Sequence, residues 1–160
     1  MEHKIWKDYI TKTFKSGETI TVGGLKWFCP PERAKEFYQN DIYWLKKLQS
    51  KWVAELLDYN DEKQTITLKY YGPSLLGAPI EKDWKYQIID MYKFFKKNNI
   101  YKGNGSLSNL TNDNGQIRAF DFKWTRQRPH GIEMEIQSYK EWLSKIDKNL
   151  TEILMNDLET

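Results

Sequence analysis

Residues 103–123 read Gly103-Asn104-Gly105-Ser106-Leu107-Ser108-Asn109-Leu110-Thr111-Asn112-Asp113-Asn114-Gly115-Gln116-Ile117-Arg118-Ala119-Phe120-Asp121-Phe122-Lys123. The first part, with Ile100-Tyr101-Lys102 before it, is too polar for a core and too glycine-rich for a helix, so it reads as a functional loop. Asn112-Asp113-Asn114-Gly115 is a hairpin-turn signal, since Asn and Gly tolerate the positive φ that tight hairpin turns require. Gln116 to Phe122 then reads as a strand with Asp121 at its end. If the hairpin folds back, the amide of Asn109 and the carboxylate of Asp121 share one edge, an oxygen pair suited to Mg²⁺ held together with phosphates and water. The bland alternative, in which Asn109 fixes the loop and Asp121 caps a turn, carries equal weight on spacing alone. Gly103 to Ser108 also imitates a dinucleotide-binding fingerprint. A helix precedes it and a hairpin follows, so no helix N-terminus is there to hold a pyrophosphate, and that reading is rejected.

Working outward, Asp83 to Asn98 reads as a helix capped by Asp83, with Trp84, Ile88, Met91 and Phe95 on one face. Val53 to Tyr59 and Thr65 to Tyr71 read as strands joined by Asn60-Asp61-Glu62-Lys63-Gln64 and closed by Gly72-Pro73. Before them, Pro31-Glu32 starts a helix running to about Gln49, whose stripe is Phe37 or Tyr38, Ile42, Leu45 and Leu48. Asp41 lies beside that stripe, where a carboxylate either meets a cation or sits in water. Tyr9 to Lys15 and Thr19 to Phe28 read as a hairpin about the turn Ser16-Gly17-Glu18. At the other end, Glu133 to Leu158 reads as one long helix. Its residues Ile136, Tyr139, Leu143, Ile146, Leu150 and Ile153 recur at steps of three and four, the rhythm of a helix-packing seam.

The chain has 160 residues, 25 Lys plus Arg against 22 Asp plus Glu, and a net charge of +3, so it is large enough to fold and too weakly charged for electrostatics to name a partner. The single cysteine, Cys29, makes no internal disulfide, and with His3 and His130 forms no convincing zinc set. The charged N-terminus lacks the apolar core of a signal peptide, and no stretch approaches membrane-spanning length, which points to a cytoplasmic protein. The expected fold class is α+β: a small antiparallel sheet around the helix that carries Asp41, and a helical second half that carries the loop and hairpin.

In their order, these features resemble the protein kinase superfamily, in an abridged form like the small kinase-like proteins of some phages and large viruses. Asn40-Asp41-Ile42-Tyr43-Trp44-Leu45-Lys46-Lys47-Leu48 followed by Val53-Ala54-Glu55-Leu56-Leu57 is similar to the αC helix and the strand after it. Thr67-Leu68-Lys69-Tyr70-Tyr71-Gly72 looks like the strand entering the hinge where adenine binds. Asn104 and Asn109 have the spacing of the catalytic-loop aspartate and asparagine, and Asp121-Phe122-Lys123 stands where Asp-Phe-Gly would. The resemblance covers roughly residues 10–125. It implies a single kinase-like domain, with residues 1–72 as an N-lobe and residues 73–160 as a reduced second lobe. It also implies ATP as ligand at Tyr70 and at a strand lysine, with Mg²⁺ on Asn109 and Asp121. Lys26, 15 residues before Asp41, has the more usual spacing for that lysine, and Lys12 is its rival.

The departures are equally specific. Asn104 replaces the catalytic base, Lys102-Gly103 replaces His-Arg, Lys123 replaces the glycine of Asp-Phe-Gly, and no Gly-rich loop is present in the first 30 residues. An amide accepts no substrate proton, so a pseudokinase is the expectation and a minimal active kinase the alternative. If the protein is viral, as that resemblance implies, the compartment is the host-cell cytoplasm. A nucleic-acid-binding module, suggested by seven tryptophans and ten tyrosines, is a third reading. Trp44, Trp84 and Trp142 fall at helical positions that packing explains, which argues against it. The stripe from Ile136 to Ile153 either packs on the chain's own Trp84–Phe95 helix or forms a homodimer seam or docking site for a host or viral protein.

Overall fold

The computed structural model describes residues 1–17, 19–22 and 24–159, and the side chains of these except at 19–22 and 27. Strand β2 (Tyr9–Thr13) is the centre of the first sheet, pairing antiparallel with β1 (Glu2–Ile5) on one edge and β6 (Thr65–Lys69) on the other. Beyond β6 lies β5 (Leu56–Asn60), giving the order β1-β2-β6-β5. The inward face is set by the two-residue side-chain period. Lys12 on β2 and Ile66 and Leu68 on β6 are buried, and Phe14 just past β2 meets Tyr38 edge-on at 6.0 Å.

Against that face packs α1 (Pro31–Lys47), started by Pro31 with Glu32 in its first turn, and burying Phe37, Tyr38, Ile42 and Leu45 as the stripe predicts. Asp41 is buried with them. The second expected strand is two: β3 (Thr19–Val22) and β4 (Leu25–Phe28) form a separate hairpin and do not pair with β2. The Gly17 N–H donates to the Cys29 carbonyl at 2.8 Å, so the chain leaves and re-enters the fold at one place and the hairpin is an excursion between β2 and α1. Glu18 and Gly23, expected in the turn and second strand, lie outside the described residues.

Helix α2 (Trp84–Lys97) buries Trp84, Ile88, Met91 and Phe95, the expected face. Asp83 stands at its start without a side-chain cap, and its carboxylate instead accepts from Gln87 at 2.8 Å. Past a short strand, β7 (Ile100–Tyr101), the loop leads through a 3-10 turn at Leu107–Asn109 into the hairpin β8 (Leu110–Asp113) and β9 (Gln116–Ala119). Its turn has positive φ at both Asn114 and Gly115, the form whose twist suits a two-residue hairpin. This hairpin is wedged in the middle of the molecule. The Ala54 N–H donates to the Ala119 carbonyl at 2.9 Å, the Leu75 N–H donates to Leu110 at 2.9 Å, and the Arg118 guanidinium donates to the carbonyls of Ser50 and Val53. Its position relative to the sheet is thereby fixed by backbone bonds.

The long C-terminal helix is not formed. After β10 (Arg126–Gln127), which pairs with β7, the chain makes three helices: α3 (Gly131–Ser138), α4 (Lys140–Ile146) and α5 (Leu150–Glu159). Asp147 breaks the last pair apart: it is extended, and its carboxylate accepts the Asn149 N–H at 2.8 Å, the local bond that lets Asp compete with helix. The apolar rhythm persists because each short helix buries its own share. Ile136, Leu143, Leu150 and Leu154 have no exposed surface, and α5 packs on α2, α3 and α4. The chain itself therefore covers Ile136, Leu143 and Leu150 of the stripe, while Tyr139, Ile146 and Ile153 stay partly exposed along it. Leu154→Ala should lower the unfolding free energy in urea by about 2–5 kcal/mol with unchanged sedimentation; a changed sedimentation coefficient instead would place α5 at an interface.

Candidate functional site

Three charged side chains from three elements meet between the sheet and the hairpin. The Lys12 ammonium on β2 lies 2.7 Å from Asp41 Oδ2 on α1 and 3.6 Å from Asp121 Oδ1 just past β9. The other Asp41 oxygen accepts the Phe122 N–H at 2.8 Å. Burial opposes charge on Lys12, but the two aspartates outweigh it and raise its pKa above the ordinary lysine value. Lys26, which the spacing of 15 favours, is exposed on the β3–β4 hairpin, and the cation on Asp41 is Lys12. The reason is topological: the excursion between residues 17 and 29 adds chain length without advancing the central sheet, so counting back from Asp41 lands on the hairpin.

Helix α1 holds the segment after Asp121 by a second residue. The Asn40 amide donates to the carbonyls of Lys123 and Thr125 at 2.9 and 2.8 Å, and to Phe122 at 3.3 Å. Asp121 itself has φ +63. Its Oδ2 accepts the Asn104 amide at 3.2 Å and lies 3.7 Å from the Lys123 ammonium. Burial works against ionisation, yet Lys12, Lys123 and Lys102 hold its carboxyl well below the usual carboxylate range. Asn109 stands where the loop enters β8: its amide donates to the Asn104 carbonyl at 2.8 Å, and its carbonyl accepts the Phe120 N–H at 3.1 Å. The structure thus brings Asp41, Asn104, Asn109 and Asp121 together with Lys12.

Beneath the loop lies a pair with no counterpart among the expected site residues. Lys102, buried, donates from its ammonium to the carbonyls of Gly103, Phe120 and Asp121, which uses all three of its N–H bonds. Its backbone N–H donates to Glu135 Oε2 on α3 at 3.3 Å, and its carbonyl accepts the Thr125 hydroxyl at 2.6 Å. Burial pushes Glu135 up to about 7 against the pull of Lys102. Gly103, at φ +72, is needed here, because a Cβ on it would lie 2.7 Å from the Trp124 side chain. Lys102 and Lys123 are visible in sequence as departures from the kinase pattern. Glu135 and Asn40 carry no sequence signal beyond a polar residue on an apolar stripe.

From Lys12 a cavity of about 240 Å³ runs along the sheet, lined by Ile5, Ile10, Ala54, Leu68, Tyr70 and Phe120 among others. Tyr70 lines it too, with its N–H donating to the Asp8 carbonyl at 3.1 Å. The strands β1 and β2 are joined by Trp6-Lys7-Asp8 alone.

No family model matches the sequence, and no curated protein matches it. Among solved structures, the chain is similar to WbdD, in a co-crystal structure with the kinase inhibitor LY294002, at a TM-score of 0.65 and 15% identity. The match covers 91% of this chain and 35% of that one, so the chain spans about a third of the length of WbdD. The fold is kinase-like. Its four-stranded sheet, α1 and the β8–β9 hairpin form the α+β arrangement that the sequence resemblance implies.

The Asp121 carboxylate stands between cations and a donor, which bears on whether it could also hold magnesium. Mg²⁺ binds one or two carboxylates in near-octahedral geometry. Asp121 Oδ1 is closed to solvent and faces Lys12, and Oδ2 faces the Asn104 amide and the Lys123 ammonium, so each oxygen meets a cation or donor. Among the described residues, no three His, Cys, Asp or Glu side chains are grouped to hold a metal.

Two measurements check this site. Lys12→Met should lower the unfolding free energy by about 3–5 kcal/mol, because Asp41 is left buried without its cation, and Asp41→Asn in the same chain should recover part of the loss. Lys26→Met should change it by less than about 0.5 kcal/mol. An additive Lys12/Asp41 cycle would sink the pairing. The second measurement concerns Glu135. Its native carboxyl titrates at about 7 against an ordinary 4.5, so the stability it contributes is present below the ordinary value and lost as pH rises through 7. Between about pH 5 and pH 8, the wild type should lose about 2.5 kcal/mol more than Glu135→Gln, which keeps every other titrating group. Parallel curves would mean that Glu135 is ionised throughout.

Proposed function

We propose that the chain is a kinase-like nucleotide-binding protein, a pseudokinase with little or no phosphotransfer, in which residues 1–72 act as the N-lobe and residues 73–160 as a reduced second lobe. The observation that carries this reading is Asn104. At the position where a kinase has its catalytic base, an amide donates a hydrogen bond to Asp121 Oδ2, so the group nearest the reacting hydroxyl has no proton-accepting role. Binding is supported by the cavity lined by Lys12 and Tyr70, whose apolar walls and few polar groups are those of a small-molecule site. In this reading Tyr70 and its neighbours take the base, and Lys12 meets the phosphates. The minimal active kinase remains the second reading, favoured by the Lys12–Asp41 pair, in which Asp41, one methylene shorter, takes the place of the glutamate that pairs with the phosphate-positioning lysine in active members.

ATP at saturating concentration should raise the melting temperature, because a ligand that binds only the native state must do so. Transfer of labelled γ-phosphate to the chain itself or to a generic protein substrate should stay at background. Asn104→Asp should recover less than about tenfold, since a carboxylate there sits 3.2 Å from Asp121 and no loop encloses the phosphates. Robust turnover by the unmodified protein, abolished by Asp121→Asn, would establish the active kinase instead.

A further inference from the structure

We infer that this site binds its nucleoside triphosphate free of divalent cation, with the ammonium of Lys123 standing where a metal ion would otherwise neutralise the phosphates. The inference rests on the nucleotide-binding reading above and names the ionic form of its ligand.

Three lysines and two aspartates make up the charged centre: Lys12, Lys102 and Lys123 against Asp41 and Asp121. Glu135 stands beside Lys102, so the excess of cations is concentrated at Lys12 and Lys123 around Asp121. Asp41 is consumed by Lys12 and the Phe122 N–H, so Asp121 is the carboxylate left to face the cleft. Its two oxygens are flanked by Lys12 at 3.6 Å and Lys123 at 3.7 Å. A divalent ion approaching Asp121 meets an ammonium on either side, whereas a polyanion approaching the same point meets two cations.

The three lysines are not equivalent. Lys102 is spent on three carbonyls and has no N–H left for a ligand. Lys12 is held by Asp41 and lines the cavity. Lys123 is 17% exposed on a flexible four-carbon stem and has Asp121 as its carboxylate partner, so it is free to move from the carboxylate to a phosphate. A lysine here also takes the place of the glycine that the kinase pattern requires, so every molecule carries a cation beside Asp121.

Calorimetric titration of the full chain with ATP tests this, once in EDTA and once in excess MgCl₂, for the wild type, Lys123→Gly and Lys123→Gln. Circular dichroism confirms that each variant is folded, and the glutamine variant keeps most of the side-chain packing if the glycine variant unfolds. The wild type should bind ATP in EDTA at least as tightly as in MgCl₂. Either variant should lose about tenfold or more in EDTA and bind more tightly in MgCl₂ than without it. Wild-type binding that is about tenfold tighter with Mg²⁺ overturns the metal-free form and leaves the nucleotide reading standing. Equal affinity of wild type and both variants in EDTA removes Lys123 from the site and overturns the inference likewise. Failure to bind in either medium overturns both.

Discussion

Lys12, with 5% of its side chain exposed, and Asp41, with none, form an ion pair that the rest of the molecule is arranged around. Desolvating two charges is costly, and an interior pair persists only where geometry and further hydrogen bonds satisfy what remains. Here they do. Asp41 spends its second oxygen on the Phe122 N–H, and Lys12 turns its remaining charge toward Asp121. One residue from the central strand, one from α1 and two from the segment past β9 are thereby tied at a single point. Because removing any partner leaves a buried charge uncompensated, the pair selects one relative placement of sheet, helix and hairpin even if its net stabilisation is small. Asn40, one residue before Asp41, adds the bonds to residues 122–125 that stop the same helix from rotating about that point.

The elements with strong local patterns are legible in the sequence. The stripe of α1, the face of α2 and the Asn114-Gly115 turn stand where periodicity and turn chemistry place them. What periodicity misses is which segments pair. Tyr9–Thr13 and the following β-rich run look like one hairpin, but β2 finds its partners in β1 and β6, and the intervening residues pair with each other. The choice between Lys12 and Lys26 depended on that pairing, since spacing along the chain is a measure of distance in the fold only when nothing loops out. The a/d rhythm after residue 136 failed differently. Three short helices around a common core produce the same rhythm as one long helix, and the break at Asp147 rests on a single Asx bond to Asn149.

Burial decides several residues whose polarity suggested a surface role. Trp44, Trp84 and Trp142 are packed inside, so the tryptophans on these helices contribute core volume and are not available to stack on bases. Glu135 is a harder case. A carboxylate on an apolar helical face reads as an error of register, and its position becomes intelligible only with the loop in place. There it accepts the Lys102 N–H from below while a Cβ at Gly105 would collide with it at 2.7 Å. The small residue above and the acid below fit as one unit, which no pattern along the chain joins across 30 residues.

The lysines at 102 and 123 follow a common logic that the neighbouring backbone explains. A loop of Gly103 to Ser106 followed by a tight hairpin turns several carbonyls toward the interior, and those of Gly103, Phe120 and Asp121 converge on one point. Convergent carbonyls need a donor with several N–H bonds, and an ammonium supplies three where an imidazole supplies at most two. Lys102 fills that role and brings a charge with it. That charge, together with Lys12 and Lys123, is what holds Asp121 ionised in a site where burial alone would favour the acid. The structural demand of the loop backbone and the electrostatic character around Asp121 are therefore set by the same side chain: a change made to relieve one alters the other.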